Sequence, residues 1–387
     1  MKSSARSRSF DLLVVGDVNP DVVLGPLDAP LAFGQREQLV DTGLLTLGGS
    51  AAIMACGAAR LGLEVAFAGR VGDDPAGRFV VAALAERGVD TRGVRVDPAR
   101  ATPLTVVVTR DDGDRAILTA PGTLAATCGD DVPDELLRTS RHVHAASYFL
   151  LPGLAGALPG LFARARGHGA TTSLDTNDDP AGRWGRADDP GGAGGAGGAG
   201  GAGGGGGGAG GDGAGGSGGL LGAVLAVTDH LLPNAREARA LAGVPGDAPL
   251  ELAARQLAAR GPLVAVKDGA DGALLCSGAT VSRTPGIPAE PLDTVGAGDS
   301  FDAGFVAALL AGRSPVQALE LGAVCGALST RAYGGTAAQP TWDEAHEAHK
   351  AHEAHLRARP LARARPCTPT PELTRTRTRT RNGKNPS

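Results

Sequence analysis

Aromatic residues make up only 3% of the 387 positions, and lysine occurs only at 2, 267, 350 and 384. So few rings leave little for nucleobases to stack on, and a formal net charge of −4 gives no field that would gather a polyanion. A nucleic-acid partner is not expected. The five cysteines (56, 128, 276, 325 and 367) form no CxxC pair and no metal-ligand spacing, which points to reduced thiols in a cytosol. Neither a membrane span nor a signal peptide is expected: the basic stretch 1–9 leads only to Asp11-Leu-Leu-Val-Val-Gly-Asp17, which is too short and too interrupted for either. GxxxxGK[ST] is absent and no GxGxxG follows the first apolar run, which argues against P-loop NTPases and nicotinamide enzymes. The expectation is a cytoplasmic protein acting on small molecules.

What is present is concentrated in Asp293-Thr-Val-Gly-Ala-Gly-Asp-Ser-Phe-Asp-Ala-Gly-Phe305. Proline makes Pro288–Leu292 a poor helix, whereas Val306–Gly312 is apolar and free of proline, so Gly296-Ala297-Gly298 sits where a loop turns into a helix. Small residues there leave backbone N–H groups uncovered at the positive end of the helix dipole, which makes an anion hole. Asp299 follows in the first turn. A carboxylate beside an anion hole is what phosphoryl transfer to an alcohol requires, since one takes the proton and the other steadies the moving charge. Short Gly-Ala-Gly turns also occur as plain helix starts, and an Asp in a first turn is often only a dipole partner.

Upstream, Leu12–Val15 reads as a buried strand with Asp17, Asn19 and Asp21 after its carboxyl end, where ligands bind in open parallel sheets. Residues 22–47 alternate loosely and suit a small β excursion. Gly48 and Gly49 at the next helix start permit close approach of a ligand to backbone N–H groups. Asp74 before Pro75 reads as a helix N-cap, and Thr105–Thr109 with Ala116–Thr119 as a hairpin. His142 and His144 share one strand face and read as polar packing rather than metal ligands. Asp175 and Asn177 follow another strand, and Ala223–Leu232 is apolar enough for a further one. Asn234 and Glu237 share a helix face. Lys267, alone in the body of the chain, ends a strand with Gly269 and Gly272 beside it, a setting that suits a nucleotide phosphate. Strand and helix alternating at this spacing predict a parallel sheet with helices on both faces.

Residues 190–219 are almost pure Gly and Ala, cannot bury enough apolar surface to order themselves, and read as an insertion within one domain. Residues 1–9 read as a disordered start. From Asp343 the chain turns His-, then Thr/Arg-rich, and 343–387 reads as a low-complexity solvated tail.

From about Phe10 to about Trp342 the chain resembles the PfkB (ribokinase-like) carbohydrate kinases, and Asp293–Phe305 fits their C-terminal signature. The resemblance implies a three-layer α/β fold over 10–342 with a small β lid at about 22–47 and 103–120. It also implies ATP and Mg²⁺ as co-reactants. Asp299 would be the general base, with Gly296, Ala297 and Gly298 around the phosphate oxygens. Asn19, Asp21, Gly48, Gly49, Asp175 and Asn177 would meet the sugar. Asn234 and Glu237 would hold Mg²⁺ through water, Lys267, Gly269 and Gly272 the nucleotide, and Asp293 with Val295 a monovalent cation such as K⁺. Asp175–Trp184 resembles the subgroup that acts on 2-keto-3-deoxygluconate. The family usually has Asn where Ile53 stands, a departure that bears on the sugar. Dimerisation through the lid is common in similar proteins. A nucleoside kinase of the same superfamily and a non-catalytic sugar- or nucleotide-binding regulator are the alternatives; scarce aromatics count against the first and the intact Asp299 against the second.

Overall fold

The computed structural model describes residues 9–110, 114–185 and 219–358. In chain order these form β1 (Phe10–Val15), β2 (Asn19–Gly25), β3 (Thr42–Gly48), α1 (Ser50–Arg60), β4 (Val65–Gly72), α2 (Pro75–Glu86), β5 (Asp90–Asp97), β6 (Leu104–Thr109) and β7 (Arg115–Ala120). Then come α3 (Asp134–Thr139), β8 (Ser140–Ala145), α4 (Pro152–Gly167), β9 (Thr171–Leu174), α5 (Leu220–Leu225), β10 (His230–Leu231), α6 (Ala235–Ala242), α7 (Leu250–Ala258) and β11 (Leu263–Lys267). The last are β12 (Ala273–Ser277), β13 (Thr280–Thr284), α8 (Ala297–Leu310), α9 (Pro315–Ser329) and α10 (Trp342–Ala358).

Nine strands form one sheet in the order β13-β12-β11-β10-β9-β8-β1-β4-β5, parallel except for the β12 and β13 edge. Successive side chains on β1 point to opposite faces. Leu13 and Val15 enter a core shared with α3 to α7, and Leu12 and Val14 enter a second core shared with α1, α2, α8 and α9. Helices therefore cover both faces, as the strand–helix alternation predicts. Because β1 lies inside the sheet and β8 and β9 lie beside it, the carboxyl ends of these strands bring Asp17, Ser147 and Asp175 to one rim.

A separate four-stranded sheet, β3-β2-β6-β7, contains the strands expected around 22–47 and 103–120. Its register gives the two faces different chemistry. Thr46, Asp21, Thr105 and Thr119 stand in one row, whereas Leu45, Val22, Val106 and Leu118 form a row on the other face. Leu45 and Leu118 are exposed.

Two expectations are corrected. Ala223–Leu232 is not a strand: α5 takes its first part and β10 is two residues long. An apolar run of that length fits a buried helix turn as well as a strand. The low-complexity stretch read as solvated from Asp343 is, through Ala358, the helix α10, with Ala345 buried in the second core. Its start is built by Thr341, whose hydroxyl and N–H both donate to the Glu344 carboxylate, at 3.0 and 2.7 Å. The stretches 1–8, 111–113, 186–218 and 359–387, with most of the Gly/Ala insertion, lie outside the described residues. Among the described residues no helix is long and apolar enough to cross a membrane, and Cys56, Cys128, Cys276 and Cys325 are free.

Candidate active site

Gly296 caps α8 with φ 72°, a left-handed conformation natural to glycine. A side chain there would also put Cβ 2.7 Å from Gly335 Cα and 3.0 Å from Ile53 Cγ2, so the loop, Ile53 and Gly335 pack without room to spare. The Ala297 N–H turns back to Thr294 O at 3.3 Å, and Ser300 N–H bonds Gly296 O at 2.9 Å. The N–H groups of Gly296, Gly298 and Asp299 have no backbone acceptor among the described residues. These are donors at the positive end of a 14-residue helix. Of the three residues expected to form the hole, Ala297 is the one whose N–H is turned away.

Asp299 is buried in the first turn of α8, and burial, then the charge of Asp175, hold its carboxyl well above the usual carboxylate range. A carboxylate so placed is a stronger proton acceptor than one in water. Around it stand the rim residues of the sheet. The Ser50 and Ala51 N–H groups donate to Asp17 at 3.1 and 3.0 Å, so Asp17 caps α1 from the end of β1. Gly49, with φ 89°, lets the two backbones meet, since a Cβ there would be 2.8 Å from Asp17 O. Gly48 makes room for the Asp21 carboxylate, which a Cβ would overlap.

Asn19 Nδ2 donates to Asp21 Oδ1 at 2.6 Å and to Thr105 Oγ1 at 3.1 Å, which ties β2 to β6. Burial first, then the charges of Asp17 and Asp293, push the Asp21 carboxyl up to about 7 against the Asn19 bond. The unfolded chain would release this proton near 3.8, so the folded state holds the extra proton between those values. The stabilisation is complete below about 3.8 and is lost as pH rises through about 7. Asp21→Asn should therefore raise the thermal midpoint at pH 8, by an amount equivalent to a few kcal/mol at most (~1.4 kcal/mol per unit), with little gain at pH 4. Thermal scans of both proteins at the two pH values check this, and an equal gain at both would contradict it.

Asn177 and Ser147 are both left-handed, with φ 53° and 58°. Ser147 N–H donates to Asn177 Oδ1 at 2.7 Å, and Asn177 Nδ2 donates to Ser50 Oγ at 3.1 Å. Asn177 thus locks the ends of β8 and β9 to the start of α1. Strained residues of this kind persist where the surroundings over-determine them, often at functional rims.

The structure gives Lys267 partners that the sequence did not indicate. Its ammonium donates to Asp175 Oδ2 at 2.6 Å and to both Asp302 oxygens at 3.2 Å. These contacts engage the ammonium with two carboxylates. Asp175 Oδ2 is thus engaged by the lysine in this structure. Gly272 (φ 99°) is set by backbone packing, since a Cβ there would overlap Thr284 O; Gly269 (φ 57°) faces open space. Asp302 was missed as a site residue, although its spacing of three from Asp299 puts it on the same side of α8. Oxygens of Asp175, Asp299 and Asp302 lie within 4.8 Å of one another.

Asn234 and Glu237 form a reciprocal N-terminal cap of α6: Glu237 N–H donates to Asn234 Oδ1 at 2.9 Å, and Asn234 N–H to Glu237 Oε2 at 2.9 Å. Burial, then the Asp175 charge, push Glu237 up to about 7. A buried carboxylate with unused lone pairs and a raised pKa gains from a nearby cation, so the pair fits Mg²⁺ held through water. Asp293 accepts from the N–H groups of Val295 and Gly334, each at 2.9 Å, and so clips the loop before α8 to the 333–335 turn. Arg115, at the start of β7, donates to Thr294 Oγ1 at 3.2 Å and bridges the small sheet to the same loop. His142 and His144 are polar packing as read: both are buried on Ser173 Oγ, at 2.7 and 2.8 Å, and burial keeps them neutral.

An anion hole and a buried carboxylate at the rim of a parallel sheet, facing a small β sheet, define a small-molecule phosphotransferase. The chain belongs to the pfkB family of carbohydrate kinases, whose model matches residues 9–188 and 219–342. It is 31% identical over 332 residues to an ATP-dependent ribose-1-phosphate kinase of Halopiger xanaduensis, covering 86% of this chain and 95% of that one. A fructokinase of Klebsiella pneumoniae is 30% identical over 307 residues, 77% of this chain and 90% of the relative. Among solved structures, Arabidopsis thaliana ribokinase complexed with ribose and ATP superposes with TM-score 0.69 at 24% identity, covering 88% of this chain and 99% of that one. A protein described as a ribokinase II of E. coli, in complex with ATP and Mg²⁺, gives 0.68 at 22% identity, with the same coverages.

Proposed function

We propose that this carbohydrate kinase transfers the γ-phosphoryl group of ATP to a primary hydroxyl of a small sugar or sugar acid of the fructose or 2-keto-3-deoxygluconate type. The observation that carries the reading is the buried Asp299 carboxylate directly after the free Gly298 N–H. The sugar hydroxyl attacks the γ-phosphorus and gives its proton to Asp299. The bond to the β-phosphate oxygen breaks, and ADP leaves with the electron pair. N–H groups of Gly296 and Gly298 meet the charge that spreads over the phosphoryl oxygens. Mg²⁺ at Asn234 and Glu237 would neutralise phosphate charge, and a monovalent cation beside Asp293 and Val295 would favour the same loop.

The sheet of β2, β3, β6 and β7 acts as a lid. Its polar row, with Asn19 and Asp21, covers the sugar and keeps water from the γ-phosphate. Arg115 favours substrates that bring a carboxylate or phosphate to the mouth. The apolar row on the outer face, with Leu45 and Leu118, suits pairing with a second copy; sedimentation that gives a monomer at every concentration would remove that part. The free, mostly buried thiols among the described residues suit a reducing cytoplasm.

The test is ADP release from MgATP over ketoses, aldonates, 2-keto-3-deoxy sugars, ribose phosphates and nucleosides, run in potassium and in tetramethylammonium salts. Stimulation by one sugar class fixes the substrate, and equal rates in the two salts eliminate the monovalent-cation site. Stimulation by nucleosides alone, or ATP binding with no turnover anywhere, would overturn the sugar-kinase reading.

A further inference from the structure

Lys267, Asp175 and Asp302 come from the ends of β11 and β9 and from α8. The lysine side chain crosses beneath the first turn of α8: a Cβ on Gly298 would stand 3.5 Å from its Nζ and 3.7 Å from its Cδ and Cε. All three charged side chains are nearly closed off from solvent, at 10%, 2% and 1% exposure. The Lys267 N–H bonds Pro233 O at 2.9 Å, so the strand that delivers the ammonium is itself fixed to the start of the Asn234–Glu237 cap.

From this geometry we infer that Lys267 is a positioning residue for phosphoryl transfer. It pins the first turn of α8 to the carboxyl rim of the sheet and balances the carboxylates packed beside Asp299, without touching the nucleotide. The inference rests on the reading of Asp299 as the base. Asp302 lies one helical turn beyond Asp299, so holding its carboxylate fixes the rotation of α8 at the point where Asp299 leaves the helix. Oxygens of three acidic side chains lie within 4.8 Å of one another. Burial raises Asp302 well above the usual carboxylate range, the Lys267 charge opposes that, and the ammonium is the cation the fold places among them. Burial opposes that charge, yet Asp175 and Asp302, with Glu237 farther off, hold the ammonium protonated more firmly than a lysine in water.

The test compares wild type, Lys267→Met, Asp302→Asn and the double variant, measuring kcat and sugar KM by ADP release and MgATP Kd by calorimetry. Lys267→Met should lower kcat by about 100-fold and leave MgATP Kd within about threefold, because only the transition state needs Asp299 in place. Adding Asp302→Asn should restore kcat by about tenfold over Lys267→Met, since it removes the carboxylate left unbalanced. Asp302→Asn alone should lower kcat by about tenfold at unchanged MgATP Kd, and it decides the matter if Lys267→Met does not fold. A tenfold or larger rise in MgATP Kd for Lys267→Met with kcat kept would make the lysine a phosphate ligand and overturn the inference. So would a double variant no faster than Lys267→Met, or an Asp302→Asn enzyme at full kcat. Wild type silent toward every sugar overturns the kinase reading instead, a result separable from all of these.

Discussion

Asp299→Asn should bind MgATP and sugar as wild type does and lose ~10²–10⁴-fold in kcat, the range a positioned general base contributes. The substitution keeps volume and one acceptor oxygen, so the hole above it and the Lys267 clasp beside it stay in place. The same variant should be more stable than wild type at pH 8. Burial and the Asp175 charge raise the folded pKa of Asp299 above 3.8, so its contribution to stability is full only below that value and declines as pH rises. Loss of turnover with a gain in thermal midpoint separates a missing base from a damaged fold. Turnover within about threefold of wild type would mean that some other group takes the proton. In the wild-type enzyme the acidic limb of kcat/KM should lie above the ordinary carboxylate range for the same reason.

Gly296→Ala should be the most damaging single methyl in the loop. An L-residue held at φ 72° costs on the order of 1–2 kcal/mol by itself. The new Cβ would meet Gly335 Cα, a backbone atom with no rotamer to yield, so the turn must move and carry the Gly298 N–H with it. Losing one such donor costs ~10²–10³-fold in rate, so kcat should fall by about that factor while the protein stays folded. Gly312→Ala is the control: its φ is 78°, but the space around it is open and it lies past the end of α8. That variant should lose stability and keep its kcat. Similar kinetic losses in both would attribute the effect to backbone strain and leave the anion hole without support.

The parts of this architecture that sequence revealed are those written locally. Period-2 and period-3.6 patterning mark the sheet and its covering helices, and the Gly-Ala-Gly-Asp run marks a helix start whichever way the rest folds. The Asp74 cap is read from adjacent residues and found: Gly77 N–H donates to its carboxylate at 2.7 Å. The carboxylate partners of Lys267 were not legible because they are distant in sequence, Asp175 by 92 positions and Asp302 by 35, and a lone lysine at a strand end gives no sign of whether it meets carboxylates or phosphate. Ile53 illustrates the same limit. Sequence notes only that it replaces a polar residue, whereas the fold uses it as packing against Gly296 and Gly335. The helix α10 was hidden by its repetitive composition, although Ala and Glu are good helix formers and the Thr341–Glu344 cap is in plain view.

The order in which the ribosome delivers these pieces has a cost. The helix α1 packs face to face with α8; a Cβ at Gly57 would be 3.0 Å from Ala303 Cβ and 2.8 Å from the Gln339 side chain. Roughly 240 residues separate the two helices in synthesis, during which the apolar face of α1 has no native cover. Contacts of such long sequence separation form late and leave sticky surface exposed meanwhile. A nascent chain halted before residue 296 would carry the whole nine-stranded sheet with one face covered only by α1 and α2, so catalytic competence and freedom from aggregation should arrive together, with the last hundred residues.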